Sequence, residues 1–285
     1  MFNCGGETRY SQPDDVYEAR GYNLSVALGR EVARRGIGSF VECSTAHVYK
    51  GGSTPRKEDD KLQAWHKMAK WKLKANDELM KTPNLNHIVL RLPNVYGEYE
   101  SGYFAMGICL ARVHVDMQKD LELLYSKDLK TNTLYVKDAA SALWRGAEWK
   151  SNAPRDGSAP ILFNVVDHND TRQQHIADAL TEVFGLKCSF LGSLASQFAK
   201  LNLDDVVDDM NEVSLQGWSD LVEEKGIQRP GPISPFIEKD VLQDQDMSLE
   251  GTLFETTTGW KPTTSFNADS IRAMVESYKQ MGWWP

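Results

Sequence analysis

Thr45 and His47 are the residues of this chain whose types and spacing most directly permit proton chemistry. They end the segment Phe40-Val41-Glu42-Cys43-Ser44-Thr45-Ala46-His47-Val48-Tyr49. In a strand that stays extended, alternate side chains share a face, so hydroxyl and imidazole would point to the same side. Imidazole titrates near neutral pH and can serve as a general acid or base. The plainer roles are a strand-end hydroxyl bonded to local backbone for Thr45 and a structural or surface position for His47. A second cluster, Asp204, Asp205, Asp208 and Asp209, lacks the glycine and alternating ligands of a calcium loop and reads as a solvated helix face. No metal site is expected.

The elements that must position these groups alternate between helix and strand, the pattern of an α/β fold. Asn23 to Arg35 reads as a helix stopped by Gly36, and Ser39 to Cys43 as a short buried strand. Arg56 to Asp60 is a polar loop, Leu62 to Met80 a helix of good helix formers, and His87 to Leu92 a strand. Leu121 to Val136 reads as two strands joined by a Ser126-Lys127-Asp128 turn, followed by a helix from Asp138 to Trp149. Ser151 to Pro160 has linker composition. Beyond it come a strand, Ile161 to Val166, a helix from Thr171 to Phe184 ending at Gly185, and an acidic helix from Gln197 to Glu224. Pro230, Pro232 and Pro235 break regular structure, and a last amphipathic helix precedes Trp283-Trp284-Pro285.

Four segments, in order, resemble the extended short-chain dehydrogenase/reductase family, the NAD-dependent epimerases and dehydratases. They are Ser44-Thr45-x-x-Val48-Tyr49, Arg91-x-Pro93-Asn94-Val95-Tyr96-Gly97, the Leu134 to Ala142 stretch with its Val136-x-Asp138-x-Ala140 core, and Phe163-Asn164-Val165 with the helix after it. Gly259-Trp260-Lys261-Pro262 and the closing helix also fit. The resemblance covers most of the chain except roughly residues 189–246. It implies a Rossmann-like doubly wound sheet with a smaller C-terminal α/β substrate subdomain. The expected division is 1–160 for NAD(P) and 161–285 mainly for substrate, with the chain crossing between the two.

The family uses a Tyr as general acid/base, a Lys one helical turn later, and a Ser or Thr that bonds the substrate oxygen. Lys72, followed by Leu73-Lys74-Ala75-Asn76-Asp77-Glu78, matches the Lys, which puts Met68 at the Tyr position. Spacing i, i+4 shares one helix face, and a thioether cannot carry the proton. An alternative register pairs His66 with Lys70. The resemblance implies catalytic roles for Thr45 and Lys72, with His47 as a replacement for the phenol. The dehydratase branch has Asp-Glu after its Thr where this chain has Ala46-His47. Asn3, Cys4, Gly5, Lys72 and Pro93 would contact NAD or NADP, and Asn94 and Glu7 the substrate, with Arg9 beside Glu7.

The family's opening strand and GxxGxxG turn, which place a pyrophosphate at a helix N-terminus, do not occur in the 285 residues. The sheet is therefore expected to lack its first strands, on the order of 60–80 residues judged from ~30-residue βαβ units. The chain reads as N-terminally shortened, with cofactor binding impaired if it begins at Met1. The implied function is an NAD(P)-binding epimerase/dehydratase-like oxidoreductase acting on a sugar nucleotide or related carbonyl or alcohol. The alternative is a non-catalytic dinucleotide-binding sensor or an assembly or interaction protein.

Composition fits this class. Hydrophobic content of 41% and charged content of 25% suit a soluble globular protein of one or two domains. A net charge of −8 opposes general attraction to nucleic acid. No run reaches the ~20 apolar residues that span a bilayer, and no basic-then-apolar leader opens the chain. The four cysteines, Cys4, Cys43, Cys109 and Cys188, form no CxxC pair and read as reduced thiols of a cytoplasmic protein. The family's two-helix interface would fall on residues 17–35 and 62–80, which implies a homodimer.

Overall fold

The structure is a computed structural model and describes residues 1–154, 157–159, 161–192, 196–197, 201–242 and 244–285. In chain order its elements are β1 (Phe2–Asn3), α1 (Asp14–Tyr17), α2 (Asn23–Arg34), β2 (Phe40–Thr45), α3 (Lys67–Lys81), β3 (His87–Leu92) and β4 (Asn94–Tyr96). Next come α4 (Tyr103–Asp116), β5 (Leu121–Leu123), β6 (Thr133–Tyr135), α5 (Val136–Asn152) and β7 (Leu162–Asn164). The last are α6 (Gln173–Phe184), β8 (Cys188–Phe190), α7 (Leu203–Glu224), α8 (Thr252–Thr258) and α9 (Ala268–Gln280). The chain divides into two compact units, one of residues 1–95, 132–170 and 245–265, the other of 96–131, 171–244 and 266–285.

The first unit is built on a parallel sheet in the order β1-β2-β3-β7. A parallel sheet needs cover on both faces, and its central strands β2 and β3 are buried along most of their length. Alternation along β2 and β3 divides the cover. Val41, Ile88, Leu90 and Phe163 pack with Ala139 and Ala142 of α5 and with Phe254 and Trp260. Phe40 packs with Val32 of α2 and Leu79 of α3. The two helices approach closely because position 29 is glycine: a Cβ there would collide with Leu79 Cδ2. Gly36, at φ 63°, supplies the left-handed turn that ends this helical stretch.

Asp138 explains the Val136-x-Asp138 segment. At the start of α5 its carboxylate accepts from Thr263 Oγ1 at 2.7 Å and from the Thr263 and Thr264 amides, each at 3.0 Å. Trp260 Nε1 donates to Ser141 Oγ at 2.8 Å one turn further on. The Gly259-Trp260-Lys261-Pro262 segment is thus tied to the α5 N-terminus.

In the second unit, β5 and β8 form a parallel pair. Tyr96 meets Phe104 and Phe266 edge to face, and those two rings pack on each other at a tilt of 30°. Tyr278, Trp283, Trp284 and Trp218 group at the other end of α9. The acidic residues of α7 do sit on an exposed face. Residues 198–200 of the expected 197–224 helix, and 155, 156 and 160 of the expected linker, lie outside the described residues.

Three expectations change. Residues 62–66 are not helical, because Leu62 bridges to Tyr49 and the Gln63 and Trp65 amides donate to the carbonyls of Val48 and His47. The helix begins at Lys67, where His66 Nδ1 accepts the Ala69 amide as an N-cap. The 126–128 turn forms, but its flanking strands do not pair: β5 bonds β8 and β6 bonds β4. A helical stretch from Asp14 through a wide turn at Glu18–Tyr22 precedes α2, started by Pro13 and two acidic residues in its first turn.

Candidate functional site

The strands β1, β2 and β3 run parallel, so their C-terminal ends share one edge, the edge where open α/β sheets bind ligands. The sequence-identified residues lie along it in the first unit. Asn3 ends β1 with Cys4 and Gly5 just after it, Thr45 ends β2, and Pro93 and Asn94 follow Leu92, the register partner of Thr45. Lys72 comes from α3, which packs on β2.

At the β1–β2 end a buried carboxylate organises the groups. Glu42, 3% exposed, accepts from Ser25 Oγ at 2.7 Å and Asn3 Nδ2 at 2.7 Å. Asn3 Nδ2 also reaches Ser25 Oγ at 3.0 Å, and Asn3 Oδ1 accepts the Gly5 amide at 3.2 Å. Burial raises the Glu42 pKa, while the two hydrogen bonds and the Lys72 cation pull it back. Lys72 Nζ donates to the Cys43 carbonyl at 3.1 Å. Lys72 faces the sheet and Lys70 is exposed.

Thr45 and His47 meet, but not by strand alternation. The chain turns into a short 3-10 helix at Ala46–Val48, and Thr45 Oγ1 caps it by accepting the His47 amide at 3.3 Å. The same hydroxyl lies 3.1 Å from His47 Nδ1. The His47 ring packs against Trp65 and His66, each with centroids 5.0 Å apart. Burial, with the nearby His66, lowers the His47 pKa to about 3. The imidazole is therefore neutral at physiological pH.

Met68 is buried and shares a narrow cleft with Lys72, Glu7, Gly5, Tyr17 and Trp71. Glu7 is fully engaged there: Arg9 binds both its oxygens, at 2.9 and 2.7 Å, and Arg20 approaches to 3.5 Å. The hydrogen bond from Arg9 leads in lowering its pKa to about 2. Pro93 is buried, and the Asn94 amide donates to the Asn132 carbonyl at 3.3 Å. The structure thus gathers Asn3, Cys4, Gly5 and Lys72 in one cluster and Thr45 with His47 beside it. Asn94 stands one strand over.

Several site neighbours were not singled out from the sequence. The Glu42–Ser25–Asn3 cluster had one signal, a carboxylate inside an apolar strand, which needs partners when buried. The second network is buried at Arg91, Tyr49 and Asn164, with Glu58 half-buried. Arg91 Nη1 donates to Tyr49 Oη at 2.6 Å and to the Glu58 carbonyl at 3.3 Å. Tyr49 donates in turn to Asn164 Oδ1 at 2.7 Å, and Glu58 Oε1 accepts the Asn164 amide at 2.8 Å. It pins the polar 56–60 loop across β3 and β7. Among the described residues no His, Cys, Asp and Glu group could hold a metal, and no helix is long and apolar enough to cross a membrane.

Solved structures share this fold over nearly the whole chain. The Bordetella bronchiseptica enzyme WbmG in complex with NAD and UDP matches with a TM-score of 0.64 at 14% identity, covering 99% of this chain and 73% of that one. The UDP-glucuronic acid 4-epimerase of Bacillus cereus, in complex with UDP-glucuronic acid and NAD, gives 0.65 at 15% identity, covering 98% and 74%. MoeE5 with UDP-glucuronic acid and NAD gives 0.65 at 13% identity, covering 98% and 79%. No curated protein matches the sequence. The model of the NAD dependent epimerase/dehydratase family matches residues 2–165, more than half of the chain. With the parallel sheet and the ordered motifs at its carboxyl edge, that match makes the chain a member of the NAD dependent epimerase/dehydratase family.

Proposed function

We propose that this chain binds a nicotinamide dinucleotide at the carboxyl edge of its parallel sheet and takes a sugar nucleotide, or a related carbonyl or alcohol, as its second ligand. The observation that carries this reading is the placement of Lys72 beside the β1–β2 strand ends. Its ammonium has three donors, and among the described residues one goes to the Cys43 carbonyl. The others suit ribose hydroxyls. Asn3, Cys4 and Gly5 would line the ribose, and Pro93 would pack near the nicotinamide. These residues fit the ribose and nicotinamide side of the cofactor. The glycine turn that cradles a pyrophosphate does not occur in the 285 residues. When bound, the nicotinamide supplies a hydride acceptor or donor.

What the chain's own groups can do with a proton is narrower. Met68 offers none at the position one turn before Lys72. Thr45 with neutral His47 forms a hydroxyl–imidazole pair able to hydrogen-bond a substrate oxygen. A second reading, a non-catalytic dinucleotide sensor or assembly subunit, is favoured by Met68 itself. The fold can keep the nucleotide without the phenol. Asn94 is the substrate contact we favour, since Glu7 is already held by two arginines.

The test is calorimetric titration of the chain with NAD+, NADH, NADP+ and NADPH, followed by turnover assays with UDP-glucose and UDP-glucuronic acid. Binding with turnover supports the oxidoreductase reading. Binding without turnover, with activity appearing in Met68→Tyr, supports the sensor reading. No binding of any nucleotide overturns both.

A further inference from the structure

Cys4 and Cys43 are far apart in sequence but neighbours in the sheet. The register Asn3↔Glu42 places Cys4, the residue after β1, opposite Cys43 of β2. Their sulfurs are 3.6 Å apart, with the Cys43 thiol donating to Cys4. Adjacent strands lie about 4.8 Å apart, inside the ~4.4–6.8 Å Cα separation a disulfide bridges. Closure therefore needs only side-chain rotation and a small approach. Cys4 is exposed, and Cys43 is partly buried behind it. The other two cysteines, Cys109 and Cys188, belong to the other unit.

The geometry points to a peroxide-reactive dithiol site in which Cys4 is the attacking sulfur, Cys43 is the resolving thiol, and the product is a disulfide joining the ends of β1 and β2. This inference does not rest on the nucleotide reading, and because that reading assigns Cys4 to the ribose, its test uses the chain without nucleotide. The environment supports the division of labour. The hydrogen bond from Cys43, aided by the Lys72 cation against burial and Glu42, lowers the Cys4 pKa to about 7. The thiolate is the reactive form. Cys43 is held protonated chiefly by that same hydrogen bond to Cys4 and by burial. Oxidation of Cys4 removes the thiolate, and with it the main cause that keeps Cys43 protonated.

The step balances with a hydroperoxide as oxidant. The Cys4 thiolate attacks one peroxide oxygen, the S–O bond forms and the O–O bond breaks. The departing hydroxide takes up the proton lost by Cys4 and leaves as water. Cys43 then attacks the sulfenic sulfur, the S–O bond breaks, and the Cys43 proton leaves with the hydroxyl as a second water. Two thiols lose two electrons, and one peroxide becomes two waters.

The experiment treats the reduced full chain with one equivalent of hydrogen peroxide, then alkylates it and maps its peptides by mass spectrometry. The expected result is a Cys4–Cys43 peptide linked within one chain, with no disulfide joining two chains. Formation should be on the order of tenfold faster than in urea-unfolded chain, because the fold raises the effective concentration of one sulfur at the other. Cys43→Ser should leave a sulfenic acid at Cys4 that a cyclic dione traps. Cys4→Ser should leave Cys43 reduced. Circular dichroism establishes that each variant folds, and the wild-type peptide map does not depend on either. Both thiols remaining alkylatable after peroxide would overturn the proposal. So would linkage to Cys109 or Cys188 in equal yield, or the same rate in folded and unfolded chain.

Discussion

Lys72 Nζ donates to the carbonyl oxygen of Cys43 at 3.1 Å, so the cation is anchored to the end of β2 and not left to sample solvent. An anchored cation has a defined reach along its own helix. Met68, four residues earlier, lies on the same face and in the same cleft.

This relationship makes Met68→Tyr informative without any ligand. A phenol beside a fixed ammonium is favoured as phenolate, so its pKa should fall below the ordinary value of about 10. Ultraviolet difference absorbance against the wild type reads it directly. The larger ring next to Tyr17 and Trp71 should cost roughly 1–3 kcal/mol of stability, the usual range for overpacking. An unshifted phenol in a folded variant would place position 68 outside the field of Lys72 and remove the basis for the register.

Lys72→Met should weaken nicotinamide dinucleotide binding by roughly ten- to a hundredfold, the effect of losing one charge-assisted hydrogen bond worth about 1.5–3 kcal/mol. Calorimetry measures it, and an unchanged melting curve would show that the loss is not unfolding. Lys70→Met, on the exposed side of the same helix, should leave the affinity unchanged.

The parallel core was legible because the segments of β2, β3 and β7 are short buried runs of strand length between helical stretches. Lys72 is singled out in the sequence by its flanking residues, and in the fold its Nζ lies on the Cys43 carbonyl of β2. The start of α3 was not, since residues 62–66 carry good helix formers and only tertiary bonds from Tyr49, Val48 and His47 hold them extended. The 121–136 stretch misled for a related reason: both strands exist, but each finds a partner distant in sequence. The Glu42 cluster was half legible. A carboxylate inside Phe40-Val41-Glu42-Cys43 announces a need for donors, while the identity of Ser25 and Asn3 as those donors depends on the packing of α2 and β1 against β2. Cys4 and Cys43 look unrelated without the strand register.

Asp138→Ala tests whether the Val136-x-Asp138 segment serves the fold. The carboxylate is 3% exposed and receives three donors. Its removal leaves buried donors unsatisfied at about 1–3 kcal/mol each, partly relieved by water. A net loss of about 3 kcal/mol is expected from chemical denaturation, with the Gly259-Trp260-Lys261-Pro262 segment becoming protease-sensitive. A loss under 1 kcal/mol would mean that this segment is held by Trp260 and Phe254 packing alone.

The pH dependence of stability carries the sign of the His47 burial. His47 is held to a pKa of about 3 in the folded chain, against about 6.5 when unfolded. As pH falls below 6.5 the unfolded chain takes up a proton that the folded chain refuses, so the stability present at pH 7 is lost progressively down to pH 3, at up to about 1.4 kcal/mol per unit. Other groups act in the same range. Burial raises Glu100 to about 7 and Asp167 to about 6. These carboxyls hold protons in the folded chain that the unfolded chain releases, so their contribution grows as pH falls, opposite to His47. Glu7, lowered to about 2, loses its contribution only as pH drops through the ordinary carboxylate range toward that value. The wild-type profile is thus a partial cancellation, and the informative quantity is the difference between wild type and His47→Gln. That variant keeps a polar side chain beside Thr45 but does not titrate. Denaturation at pH 7, 6, 5 and 4 (test conditions, of order one unit apart) should show the wild type losing ground to the variant by roughly 1 kcal/mol per unit below pH 6.5. A difference that stays constant with pH would mean that His47 protonates freely in the folded chain. His47 would then be a titrating acid near neutrality, and the proton missing at Met68 would have a source.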